Sequence, residues 1–235
     1  MSGPLSRTFV RREGRLTAGQ ARALRDLWPC YGVDTPDEGG ELDLDALFGR
    51  QAPRVLDVGF GDGEALLEMA AADPQRDYLG VEVHRPGVGH CLLRAEEAEL
   101  ANLCVVAADA VVLLRAHLPP RCLDAVHIFF PDPWPKKRHH KRRIVQPAFL
   151  DLLATRMVSG ATLHLATDWA DYAEWMLDTL EPDPRFINTA GPRGFVAPPP
   201  PRPQTKFERR GLGKGHMVHD LIYRFEPGLV TGGAS

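Results

Sequence analysis

From residue 54 onward, short apolar runs alternate with longer stretches in which apolar residues recur at helical spacing. The short runs are bounded by turn-forming residues and suit buried strands, whereas the longer stretches suit amphipathic helices. The predicted strands are residues 54–58, 78–83, 104–107, 123–130 and 161–166. The predicted helices are residues 64–72, 87–100, 111–117, 147–157 and 169–180. This alternation predicts an α/β fold with a mostly parallel, doubly wound, Rossmann-like sheet.

The two ends of the chain depart from this alternation. We expect residues 1–50 to form a basic N-terminal arm followed by an acidic connector. We expect residues 51–235 to form the main domain. The proline-rich stretch 197–203 fits neither a helix nor a central strand, so we expect an extended surface segment there. Beyond it, residues 207–209 and 219–225 predict a C-terminal antiparallel strand pair.

Composition narrows the class of protein. With 235 residues and 44% hydrophobic content, the chain is long enough for one main core. It has no apolar run near the roughly 20 residues that span a bilayer, and its arginine-rich N-terminus lacks the apolar centre of a signal peptide. We therefore expect a cytoplasmic protein. The four cysteines lack C-x-x-C spacing, which predicts neither a disulfide framework nor a zinc site.

The first candidate for chemistry is a glycine-rich turn between the first predicted strand and the first predicted helix. Asp57 is followed by Gly59, Gly61 and Gly63, and such glycines let the backbone approach a bound cofactor closely. A dinucleotide fingerprint would place its third glycine one position later, where Glu64 stands, and that carboxylate would repel a pyrophosphate. The spacing therefore favours S-adenosylmethionine over NAD as the cofactor.

Two further acids lie at strand ends on the same edge of the predicted sheet. Glu82 ends the second strand, about 20 residues after the glycines, where it can accept hydrogen bonds from ribose hydroxyls. Asp109 follows the third strand and could accept from the adenine amine. A glycine turn alone is often only a tight structural turn, but two acids in register with it strengthen the prediction of a nucleoside cofactor.

Segment 129–143 contains an acidic and an aromatic residue between prolines, followed by a run of cations. Three alternating prolines restrict the backbone, so Asp132 and Trp134 are expected in extended conformations. Six cations and two histidines follow between 136 and 143. A second basic stretch, in the N-terminal arm, contains Arg7, Arg11, Arg12, Arg15, Arg22 and Arg25. Although the net charge is −3, this clustering predicts contacts with nucleic-acid phosphates.

Less specific interpretations of these segments remain open. The basic run also suits a solvated loop, and the arm suits a frayed terminus. His139 and His140 lie among cations that would repel a metal ion, so we expect them to face RNA or solvent and predict no metal. Trp134 is equally suited to stacking on a base and to packing in the fold.

The same residues carry a resemblance to a known family. The chain resembles the bacterial tRNA (guanine-N7-)-methyltransferases, which are class I S-adenosylmethionine-dependent methyltransferases. The Pro-Asp-Pro-Trp segment with its basic tail is specific to that family rather than to the fold. The matching stretches are 7–19, the glycine turn, 80–84, 129–137, 166–169, 205–208, 210–211 and 215–216.

The resemblance implies methylation of N7 of the variable-loop guanine in tRNA. It implies that Asp57, Glu82, Asp109 and Asp132 contact the cofactor and that Asp132 is also catalytic. The substrate-contacting positions that it implies are Lys136, Asp168, Thr205, Lys206, Phe207 and Glu208. The RNA-contact run that it implies is Arg138, His139, His140, Lys141, Arg142 and Arg143. Asp57 stands where many members have glutamate, which shortens that acceptor by one methylene.

Guanine N7 carries an exposed lone pair, so its methylation needs orientation and nearby negative charge rather than a general base. Asp132 and Asp168 suit this role, and their carboxylates could also accept hydrogen bonds from N1 and N2 of guanine. Three other functions stay open: methylation of an exocyclic amine, RNA binding without catalysis, and, disfavoured by the glycine spacing, NAD-dependent oxidoreduction. The sequence does not choose between a monomer and a homodimer.

Overall fold

The computed structural model describes residues 14–36, 40–197, 202–205, 208–209 and 217–228. The strands are β1 Arg54–Val58, β2 Asp77–Val81, β3 Leu103–Val106, β4 Leu123–Phe129, β5 Met157–Thr167, β6 Phe186–Asn188 and β7 His219–Phe225. They form one seven-stranded sheet in the order β3-β2-β1-β4-β5-β7-β6. Strands β1 to β5 are parallel, and β7 is antiparallel to both β5 and β6. The predicted mostly parallel sheet with a C-terminal antiparallel pair is confirmed.

Helices cover both faces of this sheet. They are α1 Ala18–Asp26, α2 Trp28–Tyr31, α3 Leu44–Phe48, α4 Glu64–Ala72, α5 Arg85–Glu97, α6 Ala110–Ala116, α7 Pro147–Ala154 and α8 Ala170–Leu180, with a 3-10 helix at Lys137–Arg142. Val55 packs in the layer formed with α1, α4 and α5, whereas its neighbour Leu56 packs in the layer formed with α3, α6, α7 and α8. Burial on two faces is typical of parallel strands between helix layers.

Of the two strands predicted for the C-terminal antiparallel pair, residues 219–225 form β7 as predicted, but the terminal partner of β7 is β6 instead of residues 207–209. The prediction that residues 207–209 form a strand is wrong, because Glu208 and Arg209 are helical; Phe207 lies outside the described residues. The backbone N–H of Arg209 donates to the Thr205 carbonyl (3.0 Å), and the backbone N–H of Glu208 donates to the Thr205 side-chain oxygen (3.1 Å). Thr205 therefore caps a helical turn.

The described part of the N-terminal arm packs on the main domain. Thr17 begins α1 with a capping box that it forms with Gln20. Ala23 on α1 is buried, and a Cβ added to Gly89 of α5 would lie 3.0 Å from the Gln20 carbonyl oxygen. Helices α1 and α5 are therefore in close contact. Residues 1–13, with three of the predicted phosphate-contacting arginines, lie outside the described part of the chain.

The four cysteines are all free, and Cys91, Cys104 and Cys122 are buried among apolar side chains. Over the described ranges, no helix has both the length and the apolar character needed to cross a membrane. Within the same ranges, no group of three or more His, Cys, Asp or Glu side chains is arranged to hold a metal ion.

Candidate active site

A cavity of about 590 Å³ opens at the carboxyl ends of β1, β2 and β4. This is the edge of a parallel sheet at which α/β proteins bind ligands, and the volume suits a ligand of cofactor size. The predicted site residues that line it are Asp57, Gly59, Gly61, Glu82, Asp132 and Thr205. One cavity thus brings together the glycine turn, the acid after β2, the proline-flanked acid and the C-terminal segment.

Four other predicted site residues lie outside the lining of this cavity. They are Gly63, Asp109, Lys136 and Asp168. One carboxylate oxygen of Asp109 accepts a hydrogen bond from the backbone N–H of Val111 (2.8 Å), which makes Asp109 the N-cap of α6. Lys136 is exposed, and Asp168 is half-buried directly after β5.

The glycine turn takes a backbone conformation that other residues adopt only at a cost. Gly59, Gly61 and Gly63 have φ values of 75°, 64° and 86°, in the left-handed region. A Cβ added to Gly63 would lie 2.6 Å from the Cys91 Sγ of α5. The turn is therefore fixed both by its backbone conformation and by the packing of α5 beneath it.

Glu82 is held in place by three backbone N–H groups around the cavity. Its Oε2 accepts from Gly61 (2.9 Å), and its Oε1 accepts from Val83 (2.7 Å) and His84 (2.8 Å). A carboxylate offers about four acceptor sites, so these bonds leave about one for a ligand hydroxyl. Glu82 therefore fixes the glycine turn and also retains capacity to bind a ribose.

Asp57 is 2% exposed at the end of β1. Burial, reinforced by the nearby charge of Glu82, raises the pKa of its carboxyl to about 7. A cationic group bound beside Asp57 would favour the ionised carboxylate and lower this pKa. The site is therefore suited to a ligand that brings positive charge.

The backbone around Asp132 contains two strained residues. Phe130 and Trp134 have φ values of 52° and 45°, so the expectation that Trp134 is extended is wrong. Left-handed backbone at a non-glycine residue costs on the order of 1–3 kcal/mol and is concentrated at functional sites. The Trp134 ring is contacted by the Arg142 guanidinium at 4.9 Å from its centroid and by the edge of His139 at 5.8 Å between centroids.

The basic run forms the 3-10 helix beside this segment. Lys136, Arg138 and Lys141 are exposed, whereas His139, His140 and Arg142 are half-buried. Desolvation and the surrounding cations, Arg138 foremost, lower the pKa of His139. The imidazole of His139 is therefore mainly neutral at neutral pH, and the exposed positive charge comes from lysine and arginine.

Arg143, the last residue of the predicted RNA-contact run, is instead buried, with a side chain 1% exposed. Its guanidinium donates to the Pro133 carbonyl (2.9 Å) and to the carboxylate of Asp171 at the start of α8. It also lies over the Tyr172 ring, 4.8 Å from the centroid. Arg143 thus ties the segment before the basic run to α8 and does not face solvent.

The described residues of the C-terminal segment lie beside the cavity. Thr205 lines the cavity, and Glu208 accepts a hydrogen bond from Arg202 Nη1 (2.5 Å). Arg209 donates to both carboxylate oxygens of Glu64, at 2.7 Å each, at the start of α4. Lys206 and Phe207, also predicted to contact the substrate, lie outside the described residues.

The sequence prediction misses Gly87. A Cβ added to this residue of α5 would lie 2.0 Å from the Gly61 carbonyl oxygen, so a side chain here would displace the glycine turn. Glycine is unfavourable inside a helix, and Gly87 and Gly89 both stand in the first turns of α5. That cost is the signal that could have identified a close backbone contact.

Comparison with known proteins identifies relatives along most of the chain. Residues 51–221 match the family model described as "Putative methyltransferase". A tRNA (guanine-N(7)-)-methyltransferase of Halorhodospira halophila is 78% identical over 222 residues, which is 94% of this chain and 96% of the relative. A protein of the same description from Alkalilimnicola ehrlichii is 61% identical over 218 residues, covering 93% of this chain and 92% of the relative.

Solved structures show the same fold at low sequence identity. The 16S rRNA methyltransferase KamB superposes with a TM-score of 0.59 at 18% identity, covering 83% of this chain and 96% of that one. A predicted O-methyltransferase from Agrobacterium tumefaciens gives a TM-score of 0.51 at 16% identity, covering 75% and 76%. At these identities the likeness establishes the methyltransferase fold alone.

Proposed function

The chain belongs to the tRNA (guanine-N(7)-)-methyltransferase family. On that premise we propose that the protein binds S-adenosylmethionine in its cavity and transfers the methyl group to N7 of the variable-loop guanine in tRNA. The observation that carries the proposal is a shared cavity wall: the glycine turn and Glu82 face the same space as Asp132. The exposed cations of the basic run follow Asp132 within a few residues. Cofactor, reactive acid and RNA-binding charge are therefore contiguous.

The cavity suits S-adenosylmethionine on chemical grounds. That cofactor supplies a methyl group already activated for transfer. Glu82, with one acceptor site left, suits a ribose hydroxyl, and buried Asp57 suits the cationic amino-acid end. Glu64, paired with Arg209, occupies the start of α4, the helix end at which a dinucleotide-binding protein would hold a pyrophosphate.

The protein's contribution to methyl transfer is orientation and charge. Guanine N7 has no proton to lose, so no side chain in the cavity needs to act as a base. Asp132 lies on a backbone fixed by the flanking prolines and by the left-handed residues 130 and 134. Its carboxylate places negative charge beside a purine that becomes cationic, which stabilises the transition state more than the ground state.

Selectivity for guanine would come from Asp132 and Asp168. Asp132 lines the cavity, and Asp168 follows β5, which is the next strand after β4 in the sheet. Carboxylate oxygens accept the hydrogen bonds that guanine N1 and N2 donate, whereas adenine offers no such pair. We assign the two acids this selecting role beside the charge effect of Asp132.

Binding of tRNA would use the exposed part of the basic run. Lys136, Lys137, Arg138 and Lys141 are exposed at the 3-10 helix. Each phosphate contact releases counterions, so affinity for tRNA should fall steeply as salt is raised. Arg143 is excluded from this set because its guanidinium is buried against Asp171 and the Pro133 carbonyl.

The test is methyl transfer followed by identification of the modified nucleoside. Purified protein is incubated with methyl-labelled S-adenosylmethionine and tRNA transcribed without modifications, and the tRNA is digested to nucleosides. Label in 7-methylguanosine is the expected result. Label on an exocyclic amine would overturn the target atom, and tRNA binding without any cofactor binding would overturn the catalytic proposal.

A further inference from the structure

A buried cluster of charged side chains joins the C-terminal segment to the sheet. The side chain of Arg202 is 1% exposed, and it donates to both carboxylate oxygens of Asp220 on β7, at 2.6 Å and 2.8 Å. Its third nitrogen donates to Glu208 (2.5 Å), whose side chain is 9% exposed. The same Asp220 lies 2.8 Å from His164 Nε2 on β5. We call Arg202, Glu208, Asp220 and His164 the Arg202 cluster.

The guanidinium of Arg202 also packs on the segment that leads to Asp132. Its central carbon lies 5.3 Å from the Phe129 ring centroid and 5.4 Å from that of Phe130. Phe130 has a left-handed backbone and directly precedes the proline-flanked acid. A planar cation on these two rings therefore restricts the backbone from which Asp132 projects.

The cluster anchors one end of the described C-terminal residues that lie beside the cavity. Residues 202–205 and 208–209 run from Arg202, at the carboxyl ends of the strands, to Arg209, which pairs with Glu64 at the start of α4. Thr205 lies between these two anchors and lines the cavity. Fixing both ends of the segment fixes Thr205 relative to the glycine turn.

We propose that Arg202 is a positioning residue for methyl transfer. Its guanidinium fixes the part of the cavity lining that contains Asp132 relative to the part that contains Thr205. This proposal rests on the proposed function. It also assigns Glu208 an indirect role, because the Glu208 carboxylate is committed to Arg202 instead of being presented to guanine. Lysine cannot replace Arg202, since an ammonium group is neither planar nor able to bind Asp220 in a two-pronged fashion while reaching Glu208.

The first test compares Arg202→Lys with a matched control, Arg185→Lys. Arg185 makes the same kind of two-pronged contact, to Asp183, but stands directly before β6, at the end of the sheet opposite to the cavity. Arg202→Lys should lower kcat by about tenfold or more, because sub-ångström displacement of reacting groups is costly, while cofactor Kd changes by less than about threefold. Arg185→Lys should leave kcat unchanged.

The second test asks whether Glu208 acts through Arg202. Glu208→Gln keeps the shape of the side chain and removes the charge, so it should lower kcat in the same direction without unfolding the protein. The double variant Arg202→Lys with Glu208→Gln should be no worse than the more impaired single variant, because both changes break one unit. Multiplicative effects on kcat would show that Glu208 has a separate role and would overturn the assignment.

Failure of this proposal is distinguishable from failure of the proposed function. If the wild-type protein forms no 7-methylguanosine, the proposed function fails. If it does, and Arg202→Lys keeps the wild-type kcat or loses cofactor affinity as strongly as it loses kcat, the positioning role fails while the function stands. Thermal unfolding of each variant shows whether it is folded. If Arg202→Lys does not fold, Glu208→Gln tests the same cluster in its place.

Discussion

Substitution of Gly63 by alanine tests two requirements of the glycine turn, a left-handed backbone and the absence of a Cβ atom beside α5. Its φ of 86° lies in the left-handed region, which costs a residue with a Cβ about 1–2 kcal/mol. The new Cβ would also meet Cys91 Sγ at 2.6 Å and Cys91 Cβ at 2.8 Å, and such overpacking costs about 1–3 kcal/mol. We therefore expect Gly63→Ala to lower the free energy of unfolding by about 2–5 kcal/mol.

Gly160 provides the matched control for this substitution. Its φ of 82° is nearly the same, but nothing lies within 4 Å of an added Cβ. Gly160→Ala should therefore cost only the backbone term, about 1–2 kcal/mol. Urea unfolding of the two variants measures the difference through the midpoint concentration.

A third variant tests the steric part directly. Cys91→Ala removes the Sγ atom, so the double variant Gly63→Ala with Cys91→Ala should be more stable than the sum of the two single effects predicts. Cofactor affinity should fall in Gly63→Ala and not in Gly160→Ala, because only the former moves the cavity wall. Equal losses of stability at Gly63 and Gly160, with additive effects at Cys91, would refute the reasoning.

Further predictions concern pH and RNA binding. Burial raises the pKa of Asp57 to about 7, so in the unliganded protein its carboxyl is protonated where the unfolded chain ionises. The contribution of Asp57 to stability should therefore fall as pH rises from about 4 to about 7, and the difference in stability between the wild type and Asp57→Asn should change over that range. Arg138→Ala should weaken tRNA binding and reduce its salt slope by about 1, without loss of stability. Arg143→Lys should lower the melting temperature and leave that salt slope unchanged, because the buried guanidinium contacts Pro133 and Asp171.

Each of these three predictions would be contradicted by a specific result. Parallel pH profiles of stability for the wild type and Asp57→Asn would mean that this carboxyl titrates alike in both states. A reduced salt slope in Arg143→Lys would mean that Arg143 reaches phosphate when RNA is bound. An unchanged slope in Arg138→Ala would remove that residue from the RNA contact.

The parallel part of the fold was accessible from sequence because each strand is apolar and each is followed by a turn and a helix. The acids at the ends of the first two strands follow from that regularity, since parallel strands bring their carboxyl ends to one edge of the sheet. Asp57 and Glu82 are therefore found together in the cavity lining. Strand β6 was missed because three residues are too few to show a period.

The partners of individual arginines could not be read from the pattern of charges. Arg143 ends a run of cations that suggests solvent exposure. Its guanidinium is nevertheless buried and forms an ion pair with Asp171 of α8. Arg202 stands in a proline-rich stretch that suggests an extended surface segment, yet its guanidinium is enclosed by Asp220 and Glu208. The contacts of Arg143 with Asp171 and of Arg202 with Asp220 join residues 28 and 18 positions apart, which local composition does not encode.

Backbone strain was likewise hidden from the sequence. A residue that precedes proline usually adopts an extended conformation, and Trp134 does not. Its ring instead contacts Arg142 and His139, and these contacts help to offset the cost of the left-handed backbone. Tertiary contacts thus override the local preference at the segment that contains Asp132.

The most direct test of the catalytic assignment is the single-turnover rate of Asp132→Asn with saturating cofactor and tRNA. Loss of the charge beside N7 should lower this rate by about 100-fold or more, with a much smaller change in cofactor Kd. Asp178→Asn serves as the control, because Asp178 is an exposed carboxylate on α8 that pairs with Arg193, and it should keep the wild-type rate. An unchanged single-turnover rate in Asp132→Asn would contradict the role of Asp132 in the chemical step.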